Sequence, residues 1–293
     1  MQTIGFVGLG AMGLPMTRNL VRAGFAVRGY DVRAAAVDSL VQAGGLAADS
    51  VAAAAKDADA LVLMVVNAKQ AESVLFAGGA LDALPPAGIV ILTATCPSDA
   101  VVDIAGRVLA TGRRFVDAPV SGGTAGATAG SLSIMVGAPK ATLQAALPIL
   151  KAMGSNVFHV GEQPGQGALA KCINQLLCGV HIATAAEALS LAKTAGVDPQ
   201  VMLEIVSGSA ASSWMVKDRG PRMLREEPEV TSTVDIFVKD LDIVLSAGRA
   251  NKVALPLSAA AHQMFLAASG AGLGTADDSQ VIRAYDALNK RKT

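Results

Sequence analysis

Ile4-Gly5-Phe6-Val7-Gly8-Leu9-Gly10-Ala11-Met12-Gly13 is the stretch on which the fold turns. Ile4 to Val7 reads as a short buried strand, and Ala11 to Ala23 carries helical periodicity. Between them the glycines at 8, 10 and 13 each have a mechanical reason. Gly8 permits the tight turn, Gly10 lets a pyrophosphate approach the backbone, and Gly13 lets the helix pack closely on the strand. The helix N-terminus then offers free amide hydrogens and a positive dipole end to phosphates. A glycine-rich turn by itself is only a tight connection; the strand before it and the helix after it make the backbone of Gly8, Leu9, Gly10, Ala11, Met12 and Gly13 the expected cofactor cradle.

Working outward, Ala26–Tyr30, Ala60–Val66 and Ile89–Leu92 read as further buried parallel strands, separated by helical segments at Arg33–Ala43 and Ser98–Thr111. This alternation predicts an α/β fold, an N-terminal doubly wound Rossmann sheet with helices on both faces. Phe115-Val116-Asp117 and Ser131–Val136 extend the sheet beyond six strands. Turn residues cluster at Gly161-Glu162-Gln163-Pro164-Gly165, which places the expected boundary between a dinucleotide-binding domain, residues 1–162, and an all-helical C-terminal domain, residues 163–293. The second domain opens with one helix from Gln166 to about Ala195, ended by Gly196 and Asp198-Pro199. That helix is apolar nearly all round, so a second subunit is expected to cover part of it, giving a homo-oligomer, dimer or tetramer. Asn289 to Thr293 reads as a solvated tail.

Asp31 ends the second strand 23 residues after Gly8, near the offset of a ribose-binding acid. Its carboxylate can accept both adenosine ribose hydroxyls and would repel a 2′-phosphate, so NAD is the expected cofactor. Arg33, two residues on, is the feature that could instead pair with such a phosphate. Asp31 as a plain helix cap is the bland reading.

The 293 residues carry 24 basic and 24 acidic side chains, with a pI near 6.8. Such a balance gives no electrostatic reason to bind nucleic acid or an anionic membrane, and a small ligand is the expected partner. Mean hydropathy is high at +0.46. The longest weakly polar stretch, Leu176–Ala192, is nevertheless broken by His181, Thr184, Glu187 and Ser190, and falls short of the roughly 20 apolar residues of a membrane span. No basic region precedes the first strand, so no signal peptide is expected. Cys96, Cys172 and Cys178, odd in number and unclustered, point to a reducing cytoplasm. His159, His181 and His262 are too scattered to spell a metal site, and no metal is expected.

Four ordered motifs give the chain a resemblance to the β-hydroxyacid dehydrogenase family: Gly8 to Met16 with Asn19-Leu20, Asp117-Ala118-Pro119-Val120-Ser121-Gly122-Gly123, Gly167 to Asn174, and Lys239-Asp240-Leu241. The resemblance spans essentially the whole chain. It implies a nicotinamide dinucleotide between a Rossmann and a helical domain, Thr95 beside the nicotinamide ribose, and Lys239 near the cofactor. By helical spacing alone, Lys239 is equally a surface lysine paired with Asp235 or Asp242. The family has an acid and then a proline soon after the threonine, whereas this chain has Cys96-Pro97-Ser98. Within the family, 213–215, 234–241 and 262–268 are most similar to members that oxidise the C2 hydroxyl of a small sugar acid such as L-threonate to the 2-oxo acid. 3-Hydroxyisobutyrate and tartronate semialdehyde are the alternative substrates. A decarboxylating sugar-phosphate dehydrogenase is disfavoured by the short chain and the lack of a basic cluster in its second half. A non-catalytic dinucleotide-binding module is disfavoured by the presence of a proton carrier.

That carrier is Lys171. Alcohol oxidation needs a group to take the hydroxyl proton, and a lysine serves at neutral pH only when burial or a nearby positive charge lowers its pKa from about 10.4. Ala168, Leu169, Ala170, Cys172 and Ile173 supply an apolar surrounding. Asn174, three residues on, projects from the same helix face and can hold the substrate hydroxyl or carboxylate; a helix-packing amide is its bland reading. Gly167 removes a side chain from that face and would let a ligand approach. Ser121, Gly122 and Gly123 follow a strand with the backbone freedom to aim amide hydrogens at a substrate carboxylate, although an unliganded turn would look the same. Trp214 is either a wall of the pocket or a core anchor.

Overall fold

The computed structural model describes residues 2–289. All of the expected tail except Asn289 therefore lies outside the described residues. The chain divides into two compact units, residues 1–171 and 172–293, and the division falls inside the long helix.

In the first unit the chain runs β1 (Thr3–Val7), α1 (Gly13–Arg22), β2 (Ala26–Tyr30), α2 (Ala34–Gln42), β3 (Leu46–Ala47), α3 (Val51–Ala55), β4 (Ala60–Leu63), α4 (Ala68–Glu72), α5 (Ala80–Ala83), β5 (Ile89–Leu92), α6 (Ser98–Leu109) and β6 (Arg114–Asp117). It continues through β7 (Val120–Ser121), α7 (Gly123–Ala129), β8 (Ser133–Gly137), α8 (Lys140–Met153) and β9 (Asn156–Gly161) into α9 (Gln166–Ala195). Among the described residues these strands form one sheet in the order β3-β2-β1-β4-β5-β6-β8-β7, with β9 on β8. The first six are parallel; β8 runs antiparallel to β6 and β7. Alternation along each strand explains the two covered faces. Ile4, Phe6, Val62, Ile91 and Val116 point into one apolar layer, completed by Met16 and Leu20 of α1. Val7, Leu61, Leu63, Val90, Leu92 and Phe115 point into the other, completed by Ile104 and Val108 of α6. The order reverses between β1 and β4, so the C-terminal ends of β1 and β4 flank the crevice where such sheets bind ligands.

The second unit is helical: the rest of α9, then α10 (Pro199–Gly208), α11 (Trp214–Met223), α12 (Val234–Ala250), α13 (Pro256–Ala268) and α14 (Ile282–Asn289). Its core gathers Ile182, Leu189, Leu203, Met215, Phe237, Leu241 and Phe265, with the rings of Phe237 and Phe265 stacked at 5.2 Å. Gly179 has no side chain because a β-carbon there would lie 2.7 Å from Leu241. A charged clasp fixes the C-terminal segment: Arg219 grips Asp278 through two hydrogen bonds of 2.9 Å, and Arg222 reaches Asp277 at 2.8 Å. By length and composition α9 would be long and apolar enough to cross a membrane, a test that buried core helices also pass; 56% of its most apolar window is buried within the fold.

Candidate active site

Strand β1 delivers the chain to Gly8 at φ +96°, a left-handed backbone. A β-carbon at Gly8 would lie 2.3 Å from the carbonyl oxygen of Met64, and one at Gly13 only 1.9 Å from that of Gly8. Both glycines are therefore demanded by the fold itself. Gly10 differs, because a β-carbon there would meet only Arg33 Nη2, at 3.6 Å. Its small size serves space outside the protein's own packing. No side chain caps α1, but within its first turn the Leu14 amide already bonds to the Gly10 carbonyl at 3.1 Å and Pro15 has no amide hydrogen, so an anion at this helix start would have to be met chiefly by the amides of the loop before it. An open approach over Gly10 and an uncapped helix start suit a dinucleotide pyrophosphate.

Asp31 closes this loop. Its Oδ2 accepts the Leu9 amide at 2.7 Å, and its Oδ1 accepts the Arg33 amide and Nε at 2.9 and 3.1 Å. Burial pushes the carboxyl pKa up, but the bonds and charge of Arg33 outweigh it and hold the group below the ordinary aspartate value. Arg33, itself largely exposed, also reaches towards the Leu9 carbonyl at 3.5 Å. The cap position of α2 belongs to Arg33, so Asp31 is a loop-organising acid rather than a helix cap.

The ends of β5 and β6 carry the next group. Thr95 lies partly buried in the turn between β5 and α6. The Cys96-Pro97 departure is absorbed there: Cys96 packs into the core and Pro97 takes the cap position of α6. Ser121 ends β7, and Gly122 and Gly123 follow at φ +132° and +60°. A β-carbon at Gly123 would meet nothing within 4 Å, whereas one at Gly122 would press on Leu132 at 3.2 Å. Only Gly123 of the pair therefore opens the loop to a ligand. Asn19 of α1 donates to the Ala127 carbonyl at 2.7 Å and ties the cofactor helix to α7 behind this loop.

Lys171 sits in the second turn of α9 and is 6% exposed. It is not a solvent-facing lysine. Its neighbour Cys172 is an inert thiol, with burial and the charge of Asp240 pushing its pKa up to about 11. The expectation for Gly167 is corrected: a β-carbon there would lie 2.6 Å from the Met135 carbonyl and 2.8 Å from that of Asp117. Its missing side chain lets α9 rest on the strand ends and does not open a path for a ligand.

In the second unit Asn174 donates to Gln175 Oε1 at 3.1 Å and to Cys178 Sγ at 3.3 Å. Gln175 Nε2 donates to Asp240 Oδ2, and Lys239 Nζ to Asp240 Oδ1, both at 2.6 Å. The sequence pairing of Lys239 with Asp235 or Asp242 is corrected to this neighbouring acid. Gln175 and Asp240, both buried, were not picked out as site residues from the sequence. Trp214 opens α11 and is 53% exposed, with its ring 5.9 Å from the Arg219 guanidinium. It is no core anchor.

Sheet order, glycine turn and strand-end acid define a dinucleotide-binding oxidoreductase. Residues 3–161 match the family model of the NAD binding domain of 6-phosphogluconate dehydrogenase, and residues 165–285 that of the NAD-binding region of NADP-dependent 3-hydroxyisobutyrate dehydrogenase. The L-threonate dehydrogenase of Cupriavidus necator is 43% identical over 98% of this chain and 97% of its own. The 2-(hydroxymethyl)glutarate dehydrogenase of Eubacterium barkeri is 35% identical over 97% and 95%. A crystal structure of a 3-hydroxyisobutyrate dehydrogenase from Salmonella typhimurium is 40% identical and superposes with a TM-score of 0.92, covering 97% of this chain and 99% of that one. The chain belongs to the β-hydroxyacid dehydrogenase family and is an NAD-dependent enzyme of it.

Proposed function

We propose that the protein oxidises the C2 hydroxyl of L-threonate, a four-carbon sugar acid, to the 2-oxo acid. The observation that carries the chemistry is the burial of Lys171 on the helix that also presents Asn174. Bound NAD supplies the hydride acceptor. The backbone of 8–13 and Asp31 hold it, with Thr95 and Lys239 as further contacts. Lys171 takes the hydroxyl proton, Asn174 orients the substrate, and Ser121, Gly122 and Gly123 offer donors to its carboxylate. Support for the substrate comes from the Cupriavidus necator relative and its name. The name of the Salmonella typhimurium structure supports 3-hydroxyisobutyrate as the second reading.

The test is NADH formation across L-threonate, 3-hydroxyisobutyrate and L-serine, with reduction of tartronate semialdehyde followed in reverse. The highest kcat/KM is expected with L-threonate, and a higher value for any other acid overturns the substrate. With the best substrate, Lys171→Ala is expected to lose roughly 10²-fold in kcat while binding NAD normally. Lys171→Arg should recover little, because a guanidinium does not give up its proton. Near wild-type turnover by Lys171→Ala would move the base elsewhere.

A further inference from the structure

At the first turn of α9 the Gln166 amide bonds to the nearby Gln163 carbonyl at 3.3 Å, while the amides of Gly167 and Ala168 go to a residue distant in sequence. A helix start leaves four amides without intrahelical partners, and a residue just before it ordinarily serves them. Here the acceptor for the others comes from β6, about fifty residues back in the sequence. Asp117 is the last residue of β6 and 1% exposed. Its Oδ2 accepts the amides of Gly165 and Ala168, each at 2.9 Å, and the Gly167 amide also bonds to the carboxylate. Burial pushes its pKa up to about 6 against the pull of those three amides. A local serine or aspartate would cap the helix without burying a charge. What the distant carboxylate adds is a fixed position of the helix on the sheet.

Two further features have the same effect. Gly167 allows α9 to lie against the carbonyls of Met135 and Asp117. Ser98, the first residue of α6 and three beyond Thr95, donates its hydroxyl to the Gly165 carbonyl at 2.8 Å. The turn entering α9 is thus clamped from β6 on its amide side and from α6 on its carbonyl side. Lys171 lies one turn beyond Gly167, and Ser121 lies four residues beyond Asp117. One carboxylate therefore sets the start of the lysine's helix against the strand end that leads into the 121–123 loop.

We propose that Asp117 is a positioning residue for Lys171, holding its amine at a constant height relative to the 121–123 loop through the capped first turn of α9. This rests on the reading of Lys171 as the proton carrier. Asp117→Asn keeps the side-chain shape, removes the charge facing the positive end of the helix and turns one acceptor into a donor. A misplacement on the ångström scale lowers turnover by roughly 10- to 100-fold. The expected result is that loss in kcat, with substrate KM and NAD affinity within about twofold, since the 8–13 loop is untouched.

A double-mutant cycle separates positioning from general damage. In a Lys171→Ala background Asp117→Asn should cost little more, because there is no amine left to position. A merely structural role would lower activity by the same factor in both backgrounds. Ser98→Ala, which releases the other side of the clamp, should show a smaller loss with the same dependence on Lys171, and it carries the test if Asp117→Asn does not fold. Wild-type kcat in both Asp117→Asn and Ser98→Ala, or equal losses with and without Lys171, would overturn the proposal. A Lys171→Ala enzyme of normal turnover would instead overturn the assignment of the proton carrier.

Discussion

Gly10 and Gly13 provide a paired test of how the nucleotide loop is built. At Gly13 the β-carbon of an alanine would stand 1.9 Å from the Gly8 oxygen, while real contacts do not fall under 3.0 Å. The two must separate by about 1.1 Å (3.0 − 1.9). Strand β1 lies between β2 and β4 and is buried along Ile4–Val7, so α1 and its loop have to move. Overpacking of this kind costs about 1–3 kcal/mol. For a unit of this size that is a fall in Tm of roughly 2–12 °C. The loop amides move with the helix, and NAD affinity should drop by about 10- to 100-fold. Gly10→Ala is the control. Gly10 does not have positive φ, and its new methyl would make only an ordinary contact with Arg33. The Tm should stay within about 1–2 °C of wild type or rise slightly, through loss of unfolded-state entropy. NAD affinity should still fall by a similar factor, because the methyl fills the space reserved for the pyrophosphate. Calorimetric NAD titration and thermal melts of both variants decide the matter. Wild-type affinity in Gly10→Ala would refute the reasoning, since the open space over the second glycine would then serve no ligand.

Asp31→Ala should lower kcat/KM for NAD by roughly 10- to 100-fold through lost charge-assisted hydrogen bonds and raise the relative use of NADP; a wild-type enzyme faster with NADP would shift the decisive role to Arg33. Arg219→Met should destabilise the helical unit by about 3–5 kcal/mol by leaving Asp278 buried without its partner, and adding Asp278→Leu should return much of that in a denaturant titration. The Asp117 carboxyl has a folded pKa of about 6 against an ordinary 3.8, so its ionised form costs stability at neutral pH, a cost that disappears as pH falls from about 6 to 3.8 and totals about 3 kcal/mol. Melts from pH 7 to 4 should therefore show wild type gaining on Asp117→Asn as pH falls, and a constant difference would contradict the assigned ionisation. Leu169, Ile173 and Leu177 form an exposed apolar stripe at four-residue spacing on α9, which should be covered by a second copy; light scattering is expected to give a multiple of 29.5 kDa, and a monomer at micromolar concentration would contradict it.

The glycine turn and five of the six parallel strands are legible because their signals are local: a strand, three glycines of distinct purpose and a helix within some twenty residues; β3 is not, being only two exposed residues, Leu46 and Ala47. β9 was missed because Phe158 and Val160 are exposed, so the strand has no apolar alternation to mark it. Asp117 stood in a motif that carried the family resemblance, yet its role depends on amides 48 and 51 residues away, a pairing no local pattern encodes. Asp240 and Gln175 are a different case, for their signal was present. On α12, Val234, Phe237, Leu241, Val244 and Gly248 make the buried stripe, and Asp240 falls within it, three residues after Phe237. On α9, Ala168, Cys172, Gly179, Ile182 and Ala186 do the same, and Lys171 and Gln175 fall on it four residues apart. A polar side chain on an apolar stripe has to find a buried partner. Lys171 is such a side chain and a candidate base; Gln175 and Asp240 meet the same criterion and find each other at 2.6 Å. Polar interruptions of a buried helix stripe therefore mark the structural supports of this candidate site as well as its proposed proton carrier. Their pairing becomes visible only when α9 and α12 are packed.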